Sequence, residues 1–293
     1  MKILILSAGL LAVSSVVAHA QGLAVTGDGR MGVQYDSNGF ANNSDWRIEW
    51  RGRLNFTGIA EADHGLRFGA FTRVQTDRGV AGQFSGLRVW AEASGLRLTI
   101  GNQDGAIATS GAARGIGGRV GYGAGRQHGE TGGLRGAVTR FNSTGATGSN
   151  AGGESTLHLR YSADNWEAAI STERGRGIEI GARATFGAYT LAAGHQTARG
   201  GTVQVSTLSA HYDGGGWGVT GLIARVGTSD NWSMAANAAL GGGTIYGYVG
   251  RTGGNDAFGL SYDFGLGGGA RFSAGAERVG GRDTASLGVT FRF

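Results

Sequence analysis

From Trp46 to Thr57 charged and apolar residues alternate. Arg47, Glu49, Arg51, Arg53, Asn55 and Thr57 hold one phase, and Trp46, Ile48, Trp50, Leu54 and Phe56 hold the other. Arg30, Arg73 and Arg97 take the polar phase of neighbouring segments. A guanidinium stays charged and offers a rigid fork of donors. A row of them around a narrow wet passage forms a fixed field that selects ions by sign. Acids set opposite would add a transverse field that orders water and disfavours nonpolar solutes.

Other chemistry finds less support. His64, His128, His158, His195 and His211 are scattered, without the His-x-x-x-His spacing of a zinc site. His158 and Arg160 share a polar phase, and His195 falls in the apolar phase near a strand end. There is no Gly-x-Ser-x-Gly elbow and no Asp-x-Asp-x-Asp-Gly calcium loop. Lys2 is the only lysine, so a phosphate-binding P-loop is excluded. Without cysteine there is no disulfide and no thiolate metal site. No cofactor is expected. A Ser–His pair can still assemble in space, which keeps a barrel hydrolase as a second reading. An exported Gly-rich binding protein is a third. The net charge of +5 and the pI near 9.9 would suit a nucleic-acid partner. The arginines are spread along strands and not run together, so that partner is not expected.

The residues that could act this way must be held by strands, because their period is two. Leu23 to Tyr35 and Leu66 to Val74 repeat the pattern. Further segments fall at about 86–93, 96–103, 156–162, 166–173, 177–186, 188–196, 203–212, 216–226, 231–239, 243–251, 256–264, 269–278 and 283–293. That gives about sixteen strands, an even number as bacterial barrels have. Val203 and Val205 are out of phase with Leu208 and Ala210, which predicts a bulge or a shifted register there. Short and longer Gly-rich connections alternate, as periplasmic turns and external loops would. Residues 103–154 carry no sustained alternation and read as one long loop. Proline is absent, which suits a ladder with no edge. Trp46, Trp50, Trp166, Trp217 and Trp232 stand near strand ends, where aromatic girdles meet headgroups.

Lys2, the apolar run Ile3 to Val17 and Ala18-His19-Ala20 read as a secretory signal peptide cleaved after Ala20. Residues 1–20 are then the leader and 21–293 a single domain. The last segment alternates to its end: Ala285, Leu287, Val289, Phe291 and Phe293 lie on one side. The expected fold is all-β, a transmembrane antiparallel β-barrel of about sixteen strands with a long inward-folded loop.

Gly27-Asp28-Gly29-Arg30-Met31-Gly32-Val33, Asp45-Trp46, Arg51-Gly52-Arg53, Gly65-Leu66-Arg67-Phe68-Gly69-Ala70 and the Leu287–Phe293 ending follow in an order that resembles the general porins of alphaproteobacteria. The resemblance covers both ends of the mature chain well and the middle loosely. It implies a homotrimer in the outer membrane, bedded in membrane lipid and lipopolysaccharide. Each subunit would carry a water-filled pore for passive diffusion of small hydrophilic solutes and ions. It also implies that the third external loop folds inward to form an eyelet opposite basic wall residues. Arg51, Arg53 and Arg73 match the basic wall; Arg30, Arg47, Glu49 and Arg97 are further lumen candidates by alternation. From the loop, Asp104 and Glu130 are the acidic candidates. This loop departs from the family pattern. Its acids are Asp104, Glu130 and Glu154, against Arg114, Arg119, Arg126, Arg135 and Arg140. The expected field is therefore positive and the channel anion-preferring.

Overall fold

A computed structural model describes residues 20–40, 43–78, 80–112, 134, 137–141, 156–200 and 202–293. The expected leader, apart from Ala20, lies outside them. The strands run β1 (Ala20–Asp36), β2 (Trp46–Glu61), β3 (Arg67–Asp77), β4 (Val80–Phe84), β5 (Arg88–Ala93) and β6 (Leu96–Gly101). A single-turn helix, α1 (Ala106–Thr109), follows. Then come β7 (Thr156–Ser162), β8 (Trp166–Glu173), β9 (Ile178–Phe186), β10 (Tyr189–Gln196), β11 (Val205–Asp213) and β12 (Trp217–Val226). The last five are β13 (Ser229–Leu240), β14 (Gly243–Thr252), β15 (Asn255–Gly267), β16 (Ala270–Val279) and β17 (Arg282–Arg292).

Every strand pairs antiparallel with its neighbours, and β17 pairs back onto β1, so the sheet closes. Seventeen segments fill sixteen positions. β4 pairs with the Val74–Asp77 end of β3 and β5 with the Arg67–Phe71 end, so the two share one position broken at Ser85. The sequence reading missed β4 because five residues carry too little alternation.

Closure depends on glycine at one place. Gly27 and Gly29 lie beneath the rings of Phe293 and Phe291, where an added Cβ would come within 2.2 and 2.3 Å of ring carbons. The glycines near the mature start and the aromatic ending are thus two halves of one seam. Gly27 and Phe293 also exchange backbone hydrogen bonds.

Between its rims the outer face carries an apolar band. Ile48, Leu54, Ile223, Leu260 and Leu287 are exposed, with Ile48 at 73 %. No soluble fold leaves such a band open, whereas a bilayer covers it. Aromatic pairs mark its margins: Tyr161 with Trp166, Tyr189 with Tyr212, Tyr212 with Trp217, and Tyr35 with Trp46.

Two expectations need correction. β11 carries no bulge; its pairings with β10 and β12 run without a register shift. Val205 is out of phase because it points inward. It packs with Ile107, Leu134, Val138, Ala192, Leu222 and Ala224, so the inner wall is apolar where the loop rests on it. Nor do long and short connections alternate all round. From β12 onward the turns at both rims are two residues long. Gly241-Gly242, Gly253-Gly254 and Gly280-Gly281 each have φ between +56° and +82° at both positions. That is the two-residue hairpin geometry only glycine-like residues adopt freely.

Candidate functional site

The period of two sends the even positions of β1 and the odd positions of β2 and β3 into the lumen. Register then brings their charges together. Arg30 stands opposite Arg51, Asp28 opposite Arg53, Gln75 opposite Arg53, and Asn55 opposite Arg73. β5 continues the row with Arg88, and β6 and β7 with Arg97 opposite Arg160.

The partners divide this row into two kinds. Arg51 pairs with Asp28 at 2.8 Å. Glu49 is buried and meets Arg47, Arg30 at 3.7 Å and Arg78 at 2.9 Å. Arg97 pairs with Glu92, which also meets Arg67 at 2.9 Å. In contrast, Arg53 donates to Gln75 at 2.5 Å, Arg73 to Asn55 at 2.7 Å and Arg88 to Gln103 at 3.0 Å. An amide oxygen orients a guanidinium without cancelling its charge. Arg53, Arg73 and Arg88 are thus oriented by amide oxygens, while Asp28 acts electrostatically on Arg53 and Arg73, and Asp104 on Arg73 and Arg88.

Arg88 was not among the residues singled out from sequence. Its signal was present: Arg88, Trp90 and Glu92 share one phase of a short segment.

The loop after β6 turns inward and meets this wall. Phe141 packs edge-on to Phe71, with ring centroids 5.8 Å apart. The guanidinium of Arg73 lies 5.0 Å from the Phe141 centroid and that of Arg88 lies 5.5 Å away. Cations over aromatic faces are held without neutralisation. Asp104 accepts from the Phe141 N–H at 2.9 Å and acts electrostatically on both Arg73 and Arg88. Glu130, Glu154, Arg114, Arg119, Arg126 and Arg135 lie outside the described residues.

A second set of side chains, on β7 to β10, fixes the loop from the adjoining stretch of wall. Glu179 on β9 is 1 % exposed and accepts the N–H of Thr139 at 2.7 Å and of Ile107 at 3.3 Å. It thereby ties both limbs of the loop to one carboxylate. Ser171 accepts the N–H of Ala106 at 2.8 Å. Gln196 donates to the Ala137 carbonyl at 3.0 Å, and the His158 ring meets Thr109 Oγ1 at 3.1 Å. The loop also comes close at Gly181, where a Cβ would lie 2.3 Å from the Ala106 carbonyl. His158 thus acts as a strut, and His195 faces outward beside Ser206 at 2.9 Å. Sequence reasoning could not find these anchors, because they sit on four strands and meet only in space.

Removing the Glu179 carboxylate should strand two buried N–H groups at about 1–3 kcal/mol each. Glu179→Ala is expected to yield a folded barrel with a looser loop, read as noisier open-channel current. Glu179→Gln, which keeps an acceptor, should stay close to wild type. Equal noise in all three would mean the loop is held elsewhere.

A closed antiparallel barrel with an apolar exterior, a charged interior and an inward loop defines a membrane pore of the outer-membrane type. Over residues 7–284 the chain matches the family described as Gram-negative porin, and it belongs to that family. The porin of Fuscovulum blasticum is 34% identical over 87 residues, 28% of this chain and 29% of the relative's length. A triple mutant of the Rhodopseudomonas blastica porin superposes with a TM-score of 0.77 at 23% identity. It covers 93% of this chain and 100% of that one. Another variant of that porin gives 0.75 at 21% identity over the same shares. At these identities the structures bear on the fold alone.

Proposed function

We propose that this chain forms a water-filled outer-membrane channel for passive diffusion of small hydrophilic solutes and ions, with a preference for anions. The observation that carries this reading is the inward row Arg53, Arg73 and Arg88, held by amide oxygens and facing the loop at Asp104 and Phe141. Arg51, Arg30, Arg47, Glu49 and Arg97 shape the field around it through their ion pairs. The described part of the 103–154 loop, at 103–112 and 137–141, narrows the passage, and Glu130 lies outside the described residues. Residues 1–20 export the chain and are removed after Ala20. The mature barrel assembles as a homotrimer among membrane lipid and lipopolysaccharide. Positive charge within low-dielectric walls concentrates anions at the narrowest point.

The test is current through the purified protein in a planar bilayer. Stepwise, ohmic conductance increments are expected on insertion. Protein that inserts, migrates as a heat-modifiable barrel and passes no current would overturn the reading.

A further inference from the structure

We propose that the external rim of β12–β17 binds anionic, phosphate-bearing lipid headgroups through three copies of one charged rung. This rests on the outer-membrane reading above. The sequence Arg-x-Gly-x-x-Asp recurs at 225–230, 251–256 and 278–283. Each copy spans the turn of one hairpin: β12–β13, β14–β15 and β16–β17. In each, the two charged residues are direct cross-strand partners, Arg225 with Asp230, Arg251 with Asp256 and Arg278 with Asp283.

All six side chains point away from the lumen. They share the face of Ile223, Trp232, Val249, Phe258 and Leu287, which are exposed on the outer band. All three turns open on the same rim as the loop between β6 and β7, by strand order. In barrels of this type the longer connections mark the external side. Beyond each rung lies only a turn, so no protein loop separates it from the surrounding leaflet. Neighbouring copies are two strands apart, about 10 Å at ordinary strand spacing.

The contacts within the rungs leave the side chains of Arg225 and Arg251 more than half exposed. Arg225 meets Asp230 through Nε at 3.4 Å, and Arg251 meets Asp256 through Nε at 3.8 Å. Arg251 Nε also donates to the Gly254 carbonyl at 3.3 Å. Arg278 is held at both Nε and Nη2, at 2.5 and 2.6 Å. Exposed ion pairs of this kind add little stability, so hairpin stabilisation is a weak reason for three copies. A guanidinium fork suits a phosphate. The apolar band directly below suits the acyl chains that hang from that phosphate. A ligand with an anionic head on an apolar body is a lipid.

The experiment titrates the detergent-purified barrel with phosphatidylglycerol or with phosphatidylcholine and counts bound lipid by native mass spectrometry. Wild type is expected to retain phosphatidylglycerol over phosphatidylcholine. The triple variant Arg225→Gln, Arg251→Gln, Arg278→Gln should lose affinity by about fivefold per arginine removed. The triple variant Asp230→Asn, Asp256→Asn, Asp283→Asn should keep or strengthen it. A purely structural rung would weaken both variants alike, or neither, and either outcome would overturn the proposal. Excess inorganic phosphate should leave the lipid bound; displacement would make this a solution-anion site and overturn the lipid assignment. If the glutamine triple variant fails to fold, the Arg→Lys triple variant serves, with retained phosphatidylglycerol binding expected and its complete loss contradictory. Conductance of the same preparations separates failure of this proposal from failure of the channel reading.

Discussion

Leu287→Arg is expected to block assembly of the barrel. Leu287 lies at the middle of β17, faces outward and is exposed to the surroundings. Its neighbours across the seam are Val33 on β1 and Ala274 on β16, so the new charge would have no counter-ion on either side. An arginine on the lipid face near the bilayer midplane costs about 2–4 kcal/mol. That is roughly a 30- to 1,000-fold fall in the folded-to-unfolded ratio. Ser286→Arg, one residue away and inward, is the matched control and should assemble far better. Refolding into liposomes, followed by the heat-modifiable band on a detergent gel, measures both. Equal yields for the two variants would mean the faces of β17 are assigned wrongly.

The second large effect is on selectivity. Neutralising Arg53, Arg73 and Arg88 together with glutamine removes three charges from one patch while keeping side chains that can hydrogen-bond. Anion preference should then fall toward none. Asp104→Asn should act in the opposite direction, because the carboxylate opposes Arg73 and Arg88. Arg51→Gln differs again, since it leaves Asp28 without the arginine that pairs with it and sets a negative charge beside Arg53. Reversal potentials of the variants decide this. Shifts of the same sign for the triple glutamine variant and Asp104→Asn would contradict the assignment of the field to this patch.

The parts of the molecule legible in the sequence were those where one face is apolar and the other charged. β2 is the clearest case: Glu49 and its arginines point inward and Ile48 and Leu54 outward, as alternation requires. The rule failed where the lumen is not polar. Val205 looked like a phase error because alternation assumes water inside, whereas the loop's Ile107, Leu134 and Val138 press on the wall there. The charged patch was read in part. Arg51, Arg53 and Arg73 were visible as a motif, but what each of them meets depends on register. Asp28 meets Arg51, and amides meet Arg53 and Arg73. Cross-strand partners of that kind are tens of residues apart and leave no local signal. The same holds for Glu179, whose two N–H partners come from separate limbs of the loop. The Gly-Gly turns were in plain view, yet their two-residue length at both rims follows only once the flanking strands are placed.

On the proposed reading the narrowest part of the pore is positive. The most direct test is the zero-current potential of wild-type protein in a planar bilayer across a potassium chloride gradient. An anion-selective sign is predicted. The preference should shrink as salt rises, since the Debye length falls from about 30 Å at 0.01 M to about 3 Å at 1 M. A cation-selective sign at low salt would contradict the account and assign the field to acids such as Asp104 and Glu49.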